Sequence, residues 1–268
     1  EGKPLVMGIL NVTPDSFSDG GKFNSLDSAI SHAEHMLNAG VDIIDIGGES
    51  TRPGAKDVSL DDELARVIPV IHSIRQLYPD LPISVDTSKA RVMAEAIAVG
   101  ADIINDVRAL QEPGALEVAV GAQVPVCLMH MQGQPRSMQH QPSYQHVVLE
   151  VLAFLQQRAE ICVAAGIARQ QIIFDPGFGF GKSLAHNYEL LSAMSQFVET
   201  GYPVLAGMSR KSMIGQLLNR DVAERLAGSI ACATIAVMKG AQIIRVHDIK
   251  ETADAIKIAQ ATKFGVNA

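Results

Sequence analysis

The chain has 268 residues, 47% of them hydrophobic and 19% charged, and a formal net charge of −7. A chain of this length and composition can bury a large globular core. No apolar run approaches the length of a membrane span, and no basic-then-apolar leader opens the chain, so the sequence predicts a cytoplasmic protein without a membrane partner. The acidic balance and the lack of a basic stripe argue against a nucleic-acid partner.

The cysteines and histidines do not form a recognisable metal or disulfide motif. Cys127, Cys162 and Cys232 lie far apart inside apolar runs, which is typical of buried thiols in a reducing compartment. His32 and His35 lack a glutamate in the zincin spacing, so the sequence predicts no zinc site there.

Short β-branched runs alternate with longer segments of helical periodicity eight times along the chain. The predicted strands are Leu5–Leu10, Asp42–Ile46, Ile83–Val85, Asp102–Asn105, Val124–Leu128, Gln171–Phe174, Pro203–Ala206 and Gln242–Arg245. The predicted helical segments are Leu26–Asn38, Asp61–Tyr78, Lys89–Val99, Pro113–Val120, Tyr144–Ala165, Asn187–Phe197, Arg210–Lys239 and Ile249–Thr262.

This alternation predicts an α/β protein with a parallel sheet covered by helices. Eight strand–helix units in about 250 residues favour a closed (β/α)8 TIM barrel, and a doubly wound open sheet is the alternative. Because no linker, low-complexity tract or composition break interrupts the pattern, residues 1–268 are predicted to form a single domain.

Polar residues follow all eight predicted strands, where the active site of a TIM barrel lies. The polar segments begin at Asn11 and continue at 47–54, 86–88, 105–106, 129–131, 175–182, 209–212 and 245–248. Ser88, Asp106 and Asp248 have an equally good interpretation as helix N-caps. The segment 11–21 combines polar residues, paired glycines and Phe17, and we interpret residues 13–21 as a lid.

Two kinds of binding chemistry separate within this ring of loops. The candidate anion-binding residues are Arg52, Lys211, Arg245 and His247, with Ser50 and Ser209. Asp86, Asn105 and Asp175 directly follow apolar runs, and carboxylates at such depth require hydrogen-bond donors.

A flat heterocycle with an amino group beside ring N–H groups would supply those donors, while Met129 and neighbouring apolar atoms cover its faces. The competing explanation is a structural ion pair between Asp86 or Asp175 and Lys211.

The segment 177–183 lacks the Walker spacing and is interpreted as a flexible lid carrying Phe180. His130 is equally compatible with packing and with chemistry.

Seven segments together resemble the bacterial dihydropteroate synthases. They are GILNVTPDSFSDG at 8–20, DIGGESTRPG at 45–54, SVDT at 84–87, IND at 104–106, DPGFGFGK at 175–182, SRKS at 209–212 and RVHD at 245–248. The resemblance runs in order from Val6 to about Asp254 and includes the end of nearly every predicted strand.

The resemblance implies a folate-pathway transferase that joins 6-hydroxymethyl-7,8-dihydropterin pyrophosphate to p-aminobenzoate, releasing pyrophosphate and 7,8-dihydropteroate. The implied pterin-binding residues are Asp86, Asn105, Asp175 and Lys211, and the implied pyrophosphate-binding residues are Arg245 and His247, with Asn11 acting through Mg²⁺. The implied p-aminobenzoate pocket, which sulfonamides also occupy, consists of Thr51, Arg52, Pro53, Phe17, Phe180, Lys211 and Ser212. Arg52, Asp86, Asp175 and Lys211 are the predicted catalytic residues.

The predicted chemistry needs no protein nucleophile, because pyrophosphate can leave before the amine attacks, and the resulting cation is stabilised by the pterin ring and the carboxylates.

The resemblance also suggests a homodimer, in which the Ala- and Met-rich run Gly228–Met238 packs on a partner or on the barrel. Two other functions stay open. One is a corrinoid methyltransferase that uses methyltetrahydrofolate, and the other is a non-catalytic pterin-binding paralogue.

Overall fold

Eight parallel strands form one sheet that curls into a barrel. The computed structural model describes residues 2–12, 22–50, 57–133 and 142–266. The predicted lid with Phe17, and the predicted site residues Thr51, Arg52 and Pro53, lie outside the described residues. The strands are β1 (Leu5–Asn11), β2 (Ile43–Gly47), β3 (Ile83–Asp86), β4 (Ile103–Asp106), β5 (Val126–Met129), β6 (Ile172–Asp175), β7 (Leu205–Ala206) and β8 (Ile243–Val246).

Helices follow each strand and cover the outside of the barrel. They are α1 (Lys22–Asn38), α2 (Leu60–Leu77), α3 (Ala90–Ala98), α4 (Ala115–Ala122), α5 (Val147–Ala165), α6 (Leu184–Ser192), α7 (Met194–Val198), α8 (Ser212–Leu218), α9 (Leu226–Met238) and α10 (Ile249–Phe264). In the described part of the chain, none of these helices is long and apolar enough to cross a membrane.

The strands are neighbours in space in the same order as in the sequence, and β1 also pairs with β8. This order confirms the barrel and excludes a doubly wound sheet, whose strand order reverses at a switch point. The seam between β6 and β7 is the weakest, because it consists of a single bridge between Phe174 and Val204. On the other side of this segment, the Gln242 side chain just before β8 accepts a hydrogen bond from the Val204 N–H at 2.8 Å and so joins β7 to β8.

Alternate strand residues point outward to the helices and inward to the barrel axis. The outward residues, such as Ile44, Ile46 and Val85, are buried in the main core against the helices. A separate apolar layer fills the lower part of the barrel and contains Met7, Ile43, Ile103, Cys127, Ile173, Leu205 and Ile243. Most inward positions above this layer are polar, with Met129 among the exceptions. In the described ranges, the carboxyl-terminal mouth of the barrel is the only end where the strands deliver charged groups to the axis.

Most strands extend one residue further than the sequence pattern predicted. Gly47, Asp86 and Asp175 were expected in loops, but each is the last residue of its strand. Backbone pairing between neighbouring strands continues beyond the last apolar residue, since Gly47 pairs with Asp86 and Asp86 pairs with Asn105. Candidate site residues therefore lie on the barrel wall itself, which holds them more rigidly than a loop would.

Two predicted helical segments are each divided in the structure. The segment Arg210–Lys239 was expected to be continuous, but α8 ends at Leu218, where Asn219 caps it in a left-handed conformation (φ 51°), and α9 begins at Leu226. The segment Asn187–Phe197 is similarly divided at Ala193. Apolar periodicity continues across both breaks, so the sequence pattern alone did not separate the helices.

Candidate active site

Four polar side chains from four strands meet inside the mouth of the barrel. Arg245 extends from β8 towards β2 and β3, where its Nε donates to Asp45 Oδ2 at 2.6 Å and its Nη2 donates to Asp86 Oδ2 at 2.8 Å. The Asn105 amide on β4 donates through Nδ2 to the same Asp45 Oδ2 at 3.1 Å. One guanidinium thus joins two carboxylates, and one of these carboxylates orients an amide.

Burial and charge act in opposite directions on this group. Burial raises the pKa of Asp86 to about 7, although the neighbouring Arg245 lowers it and Asp45 adds a smaller increase. Burial by itself would lower the pKa of Arg245, but Asp45 and Asp86 raise it above its ordinary value. Arg245 therefore stays protonated, whereas Asp86 can exchange a proton near neutral pH.

Asp175 and Lys211 are two further charged groups at the mouth. Asp175 Oδ1 accepts from the Gly177 N–H at 2.7 Å, and burial raises the pKa of Asp175 despite the nearby Lys211. Lys211 Nζ donates to the Phe178 carbonyl at 2.6 Å and lies 4.7 Å from the Phe180 ring centroid. Burial lowers the pKa of Lys211 to about 8, although Asp175 acts in the opposite direction.

The predicted structural ion pair between Lys211 and Asp86 or Asp175 is wrong. Among the described residues, the ion pairs include none between Lys211 and either carboxylate, and Asp86 pairs with Arg245 instead. The Lys211 ammonium does not pair with these carboxylates because it donates instead to a backbone carbonyl of the loop that follows β6. Lys211 acts on Asp175 through space without a direct contact.

The loop 177–182 after β6 is tightly packed, and its interpretation as a flexible lid is wrong. Gly177 (φ +72°) and Gly181 (φ +64°) both have left-handed conformations that favour glycine. A Cβ added to Gly177 would lie 1.9 Å from the His130 carbonyl oxygen, and one added to Gly181 would lie 2.3 Å from the Gln132 carbonyl oxygen. Phe180 in this loop is buried.

Lys182 fixes this loop to the end of β5. Its buried Nζ lies 3.0 Å from His130 Nδ1, and it donates to the carbonyl oxygens of His130 at 3.2 Å and Phe180 at 3.0 Å. Burial lowers the pKa of His130 to about 3, and the Lys182 charge adds to this effect. His130 is therefore a neutral packing group. The structural role of Lys182 could not be predicted from the sequence pattern.

An apolar wall borders the polar groups. Met129 at the end of β5 packs against Phe180, and Val107 and Met131 complete the cluster. Because Met129 follows Cys127 by two positions, its side chain points to the barrel axis, like the other inward residues of β5. The predicted apolar cover for a flat ligand is present at this position.

Contacts join the loops that follow β7 and β8, which carry Lys211 and His247. The Ser209 hydroxyl accepts from the His247 backbone N–H at 3.2 Å and lies 3.0 Å from His247 Nδ1. The hydroxyl hydrogen is then available to Nδ1, so this contact favours the tautomer of His247 that carries its proton on Nε2. Arg210 (φ +59°) forms a two-point ion pair with Asp248 that joins the same loops.

The three candidate N-cap residues have other roles. Asp106 accepts from the N–H groups of Arg108 at 2.8 Å and Leu110 at 2.7 Å, and so it holds a turn after β4. Ser88 donates to Asp106. Asp248 makes no side-chain capping bond to α10 and binds Arg210 instead.

A second charged network anchors both ends of the segment 50–57. Glu49 Oε1 accepts from the Val58 N–H at 3.0 Å, and Glu49 Oε2 accepts from Lys89 Nζ at 2.7 Å. Lys89 also pairs with Glu63, a fully buried carboxylate on α2 that accepts from the Thr87 hydroxyl at 2.6 Å. Sequence reasoning did not find this network, because its members lie on α2 and on two separate connections, one between β2 and α2 and one between β3 and α3.

Asp45 is the most important residue that sequence reasoning did not assign to the site. It belongs to the segment 45–54 that resembles the family, and it is fully buried and bonds to both Arg245 and Asn105. A usable signal was present, because an acidic residue in the middle of a buried strand requires a partner.

The remaining predicted site residues are at the edge of this arrangement. Asn11, the last residue of β1, pairs in register with Gly47 and is partly exposed. Ser212 begins α8 directly after Lys211 and is exposed. In the described ranges, no group of three or more His, Cys, Asp or Glu side chains is arranged to hold a metal ion.

Comparison with known proteins agrees with this geometry. The profile of the pterin binding enzymes matches residues 7–247. The chain belongs to this family. Dihydropteroate synthase from Escherichia coli strain K12 is 59% identical over 97% of the chain and 92% of its own length. That from Haemophilus influenzae is 60% identical, with 97% and 94% covered.

Solved structures give the same result. The Yersinia pestis dihydropteroate synthase in a sulfonamide drug complex has a TM-score of 0.93 and 59% identity, covering 97% of this chain and 94% of its own. The Xanthomonas albilineans dihydropteroate synthase with 4-aminobenzoic acid has a TM-score of 0.92 and 48% identity, covering 98% of this chain and 94% of its own.

The packed loop after β6 leads to a stability prediction. We expect Gly177→Ala to lower the free energy of unfolding by at least about 3 kcal/mol, because the side chain adds a left-handed strain of about 1–2 kcal/mol and displaces the His130 carbonyl. Gly121→Ala in α4 is the control, because no atom lies within 4 Å of its added Cβ, and it should be neutral or slightly stabilising. Urea unfolding followed by circular dichroism measures both, and equal stabilities would contradict the packing argument.

Proposed function

We propose that this protein is a transferase that condenses 6-hydroxymethyl-7,8-dihydropterin pyrophosphate with p-aminobenzoate to give 7,8-dihydropteroate and pyrophosphate. The observation that carries the proposal is the meeting of Asp86, Asn105 and Asp175 at one barrel mouth beside Arg245, in a chain 59% identical to a dihydropteroate synthase. Together these residues provide hydrogen-bond acceptors with cations close by, which suits a pterin ring that carries several N–H groups and an anionic tail.

The pterin would bind to the buried acceptors. Asp86 and Asp175 each use one carboxylate oxygen within the protein and retain a second for the ligand, and the Asn105 amide donates its nitrogen to Asp45 and so retains its oxygen. Met129 would cover one face of the ring. Lys211 would add a cation beside the ring, because its ammonium lies between Phe178 O and the Phe180 ring.

The pyrophosphate would bind at the side of the mouth where β8 and β1 end. His247 offers an N–H at Nε2, and Arg245 carries a positive charge that its two carboxylate partners maintain. Asn11 supplies one amide oxygen at the end of β1, and Mg²⁺ characteristically takes one or two protein oxygens together with substrate phosphates and water. The donor set therefore fits Mg²⁺ held jointly by Asn11 and pyrophosphate, and the ion would neutralise charge on the leaving group.

p-Aminobenzoate would bind on the outer side of the pterin. Phe180, Lys211 and Ser212 are the described residues that would line this pocket; the Lys211 ammonium lies 4.7 Å from the Phe180 ring centroid, and Ser212 follows Lys211 directly. For Thr51, Arg52, Pro53 and Phe17, the proposal rests on the resemblance of their segments to the family.

The residues at the mouth suit a dissociative reaction. As pyrophosphate leaves, the positive charge that develops on the pterin would be stabilised by Asp86 and Asp175, which are buried where electrostatic interactions are strong. The aniline nitrogen is already a free base near neutral pH, so orientation replaces a strong general base. A corrinoid methyltransferase would have no use for the cationic side of the mouth, and the relatives described above are dihydropteroate synthases.

We also propose a single-domain homodimer that acts in the cytoplasm. One face of α9 is exposed and apolar, and it consists of Ala227, Ala231, Ile235 and Met238 at helical spacing. Exposed Leu217 and Leu218 on α8 and Ile258 on α10 add to the apolar surface of neighbouring helices. The three cysteines are buried free thiols, which suits a reducing compartment.

Pyrophosphate release tests the proposed reaction. We expect purified protein with Mg²⁺ to release pyrophosphate from the pterin substrate when p-aminobenzoate is present, and Asp86→Asn to reduce kcat/KM by about 100-fold or more, because a buried charge is lost next to the developing cation. Glu95→Gln, an exposed change on α3, is the control and should retain wild-type turnover. Absence of release from the wild-type protein, with and without p-aminobenzoate, would refute the proposal.

The pKa shifts of Asp86 and Lys211 predict a bell-shaped pH dependence. As pH rises through about 7, Asp86 loses its proton and kcat/KM should increase; as pH rises through about 8, Lys211 loses its proton and kcat/KM should decrease. Lys211→Arg keeps the cation protonated, so its profile should lose the alkaline limb. A wild-type profile that is flat from about pH 6 to about pH 9 would contradict both assignments.

The dimer proposal predicts a charge-sensitive surface on α9. We expect the wild-type protein to sediment as a dimer and Ile235→Glu to sediment as a monomer, because the change places charge in the apolar face. Leu149→Glu on α5 alters a residue that is even more exposed, at 61%, and should leave the dimer intact. A monomeric wild-type protein in sedimentation velocity would contradict the proposal.

A further inference from the structure

Asp45 is a buried charged residue for which the proposed reaction itself gives no role. It lies in the middle of β2, its side chain is fully buried, and it faces the barrel axis. A carboxylate in this position is costly unless it is paired, and removal of its partner leaves an isolated buried charge. Its contacts should therefore explain why an acidic residue occupies the position.

Both contacts of Asp45 are to proposed substrate-binding residues. A single oxygen, Oδ2, accepts from Arg245 Nε at 2.6 Å and from Asn105 Nδ2 at 3.1 Å. Asp45 therefore connects β8 to β4 through the interior of the barrel.

The bond to Asn105 determines which end of that amide is available to a ligand. An amide has a donor end and an acceptor end. An ionised carboxylate accepts hydrogen bonds and cannot donate them. Asp45 therefore bonds to the Asn105 nitrogen and leaves the Asn105 oxygen as the acceptor for a ligand. With the second oxygens of Asp86 and Asp175, the mouth then presents three acceptors to one ligand.

The bond to Arg245 has a similar orienting effect. Nε bonds to Asp45 and Nη2 bonds to Asp86, so both carboxylates are on the same edge of the guanidinium. The guanidinium is held by two bonds and cannot turn to offer that edge to a phosphate.

We propose that Asp45 is a positioning residue that orients the Asn105 amide oxygen towards the pterin and holds the Arg245 guanidinium against Asp86, without contacting substrate. This inference rests on the proposed function, because it assumes that the ligand of Asn105 is a pterin with N–H donors. Under this inference, Asp45 makes the site prefer a ligand whose edge donates hydrogen bonds over a ligand whose edge accepts them.

An exchange of side chains between positions 45 and 105 tests the inference. In Asp45→Asn, an amide that can either donate or accept replaces the acceptor-only carboxylate, so the orientation of the Asn105 amide is no longer fixed. In Asn105→Asp, two carboxylates oppose each other without a donor. In the double variant, Asn at 45 can accept from Arg245 Nε and donate to Asp at 105, whose second oxygen still faces the ligand. The exchange conserves net charge and the acceptor, and it divides between the two terminal atoms of residue 45 the two bonds that Oδ2 alone accepts in the wild type.

The measurement is the Kd of 6-hydroxymethylpterin by calorimetry, at a temperature where circular dichroism shows each variant to be folded. We expect each single variant to bind about 10-fold to about 100-fold more weakly than wild type, and the double variant to recover to within about 3-fold. Ser84→Ala is the matched control. Ser84 is the register neighbour of Asp45 and equally buried, its hydroxyl has no partner in the described part of the chain, and the change should alter Kd by less than about 2-fold.

The outcomes separate the inference from the proposed function. If the wild-type protein binds the pterin and Asp45→Asn binds it equally well, the positioning role is refuted and the function stands. The role is also refuted if the two losses simply multiply in the double variant. If Asp45→Asn does not fold, Asn105→Asp and the double variant decide. A wild-type protein that does not bind the pterin refutes the proposed function instead.

Discussion

The shared interaction of Arg245 with Asp45 and Asp86 is the constraint on which the site depends. Two carboxylates on adjacent strands of one barrel interior repel each other and are costly to bury, so a cation must lie between them. Arg245 reaches them only because β8 pairs with β1 and thereby closes that side of the barrel next to β2. The electrostatics of the mouth and the closure of the barrel are therefore coupled.

The polar groups around this centre are held by the wall and by packed loops. Asp86 and Asn105 are on strands, and the loop after β6 is fixed by glycines with left-handed conformations and by the buried Lys182. The Arg210–Asp248 ion pair joins the loops that carry Lys211 and His247. Rigid support of this kind suits a reaction in which orientation and fixed charge supply most of the catalysis.

Sequence patterns predicted the architecture well, because hydrophobic periodicity reports burial directly. The eight strands and the barrel are confirmed, whereas the division at Asn219 and the packing of the loop 177–182 were not foreseen. Periodicity does not report where a ladder ends, so Asp86 was assigned to a loop although it is paired with Asn105. Strand-end position still brought Asp86, Asn105 and Arg245 into one predicted site.

The sequence by itself determined the order of the elements, the end of the barrel that carries the chemistry, and the polar residues delivered there, since these follow from local pattern and chain direction. Only the tertiary structure decided the pairing: Arg245 with Asp45 and Asp86 rather than Lys211 with Asp86, and Lys182 with His130. Pairing depends on side-chain reach and strand register across residues that are up to 200 positions apart, and no local pattern contains that information.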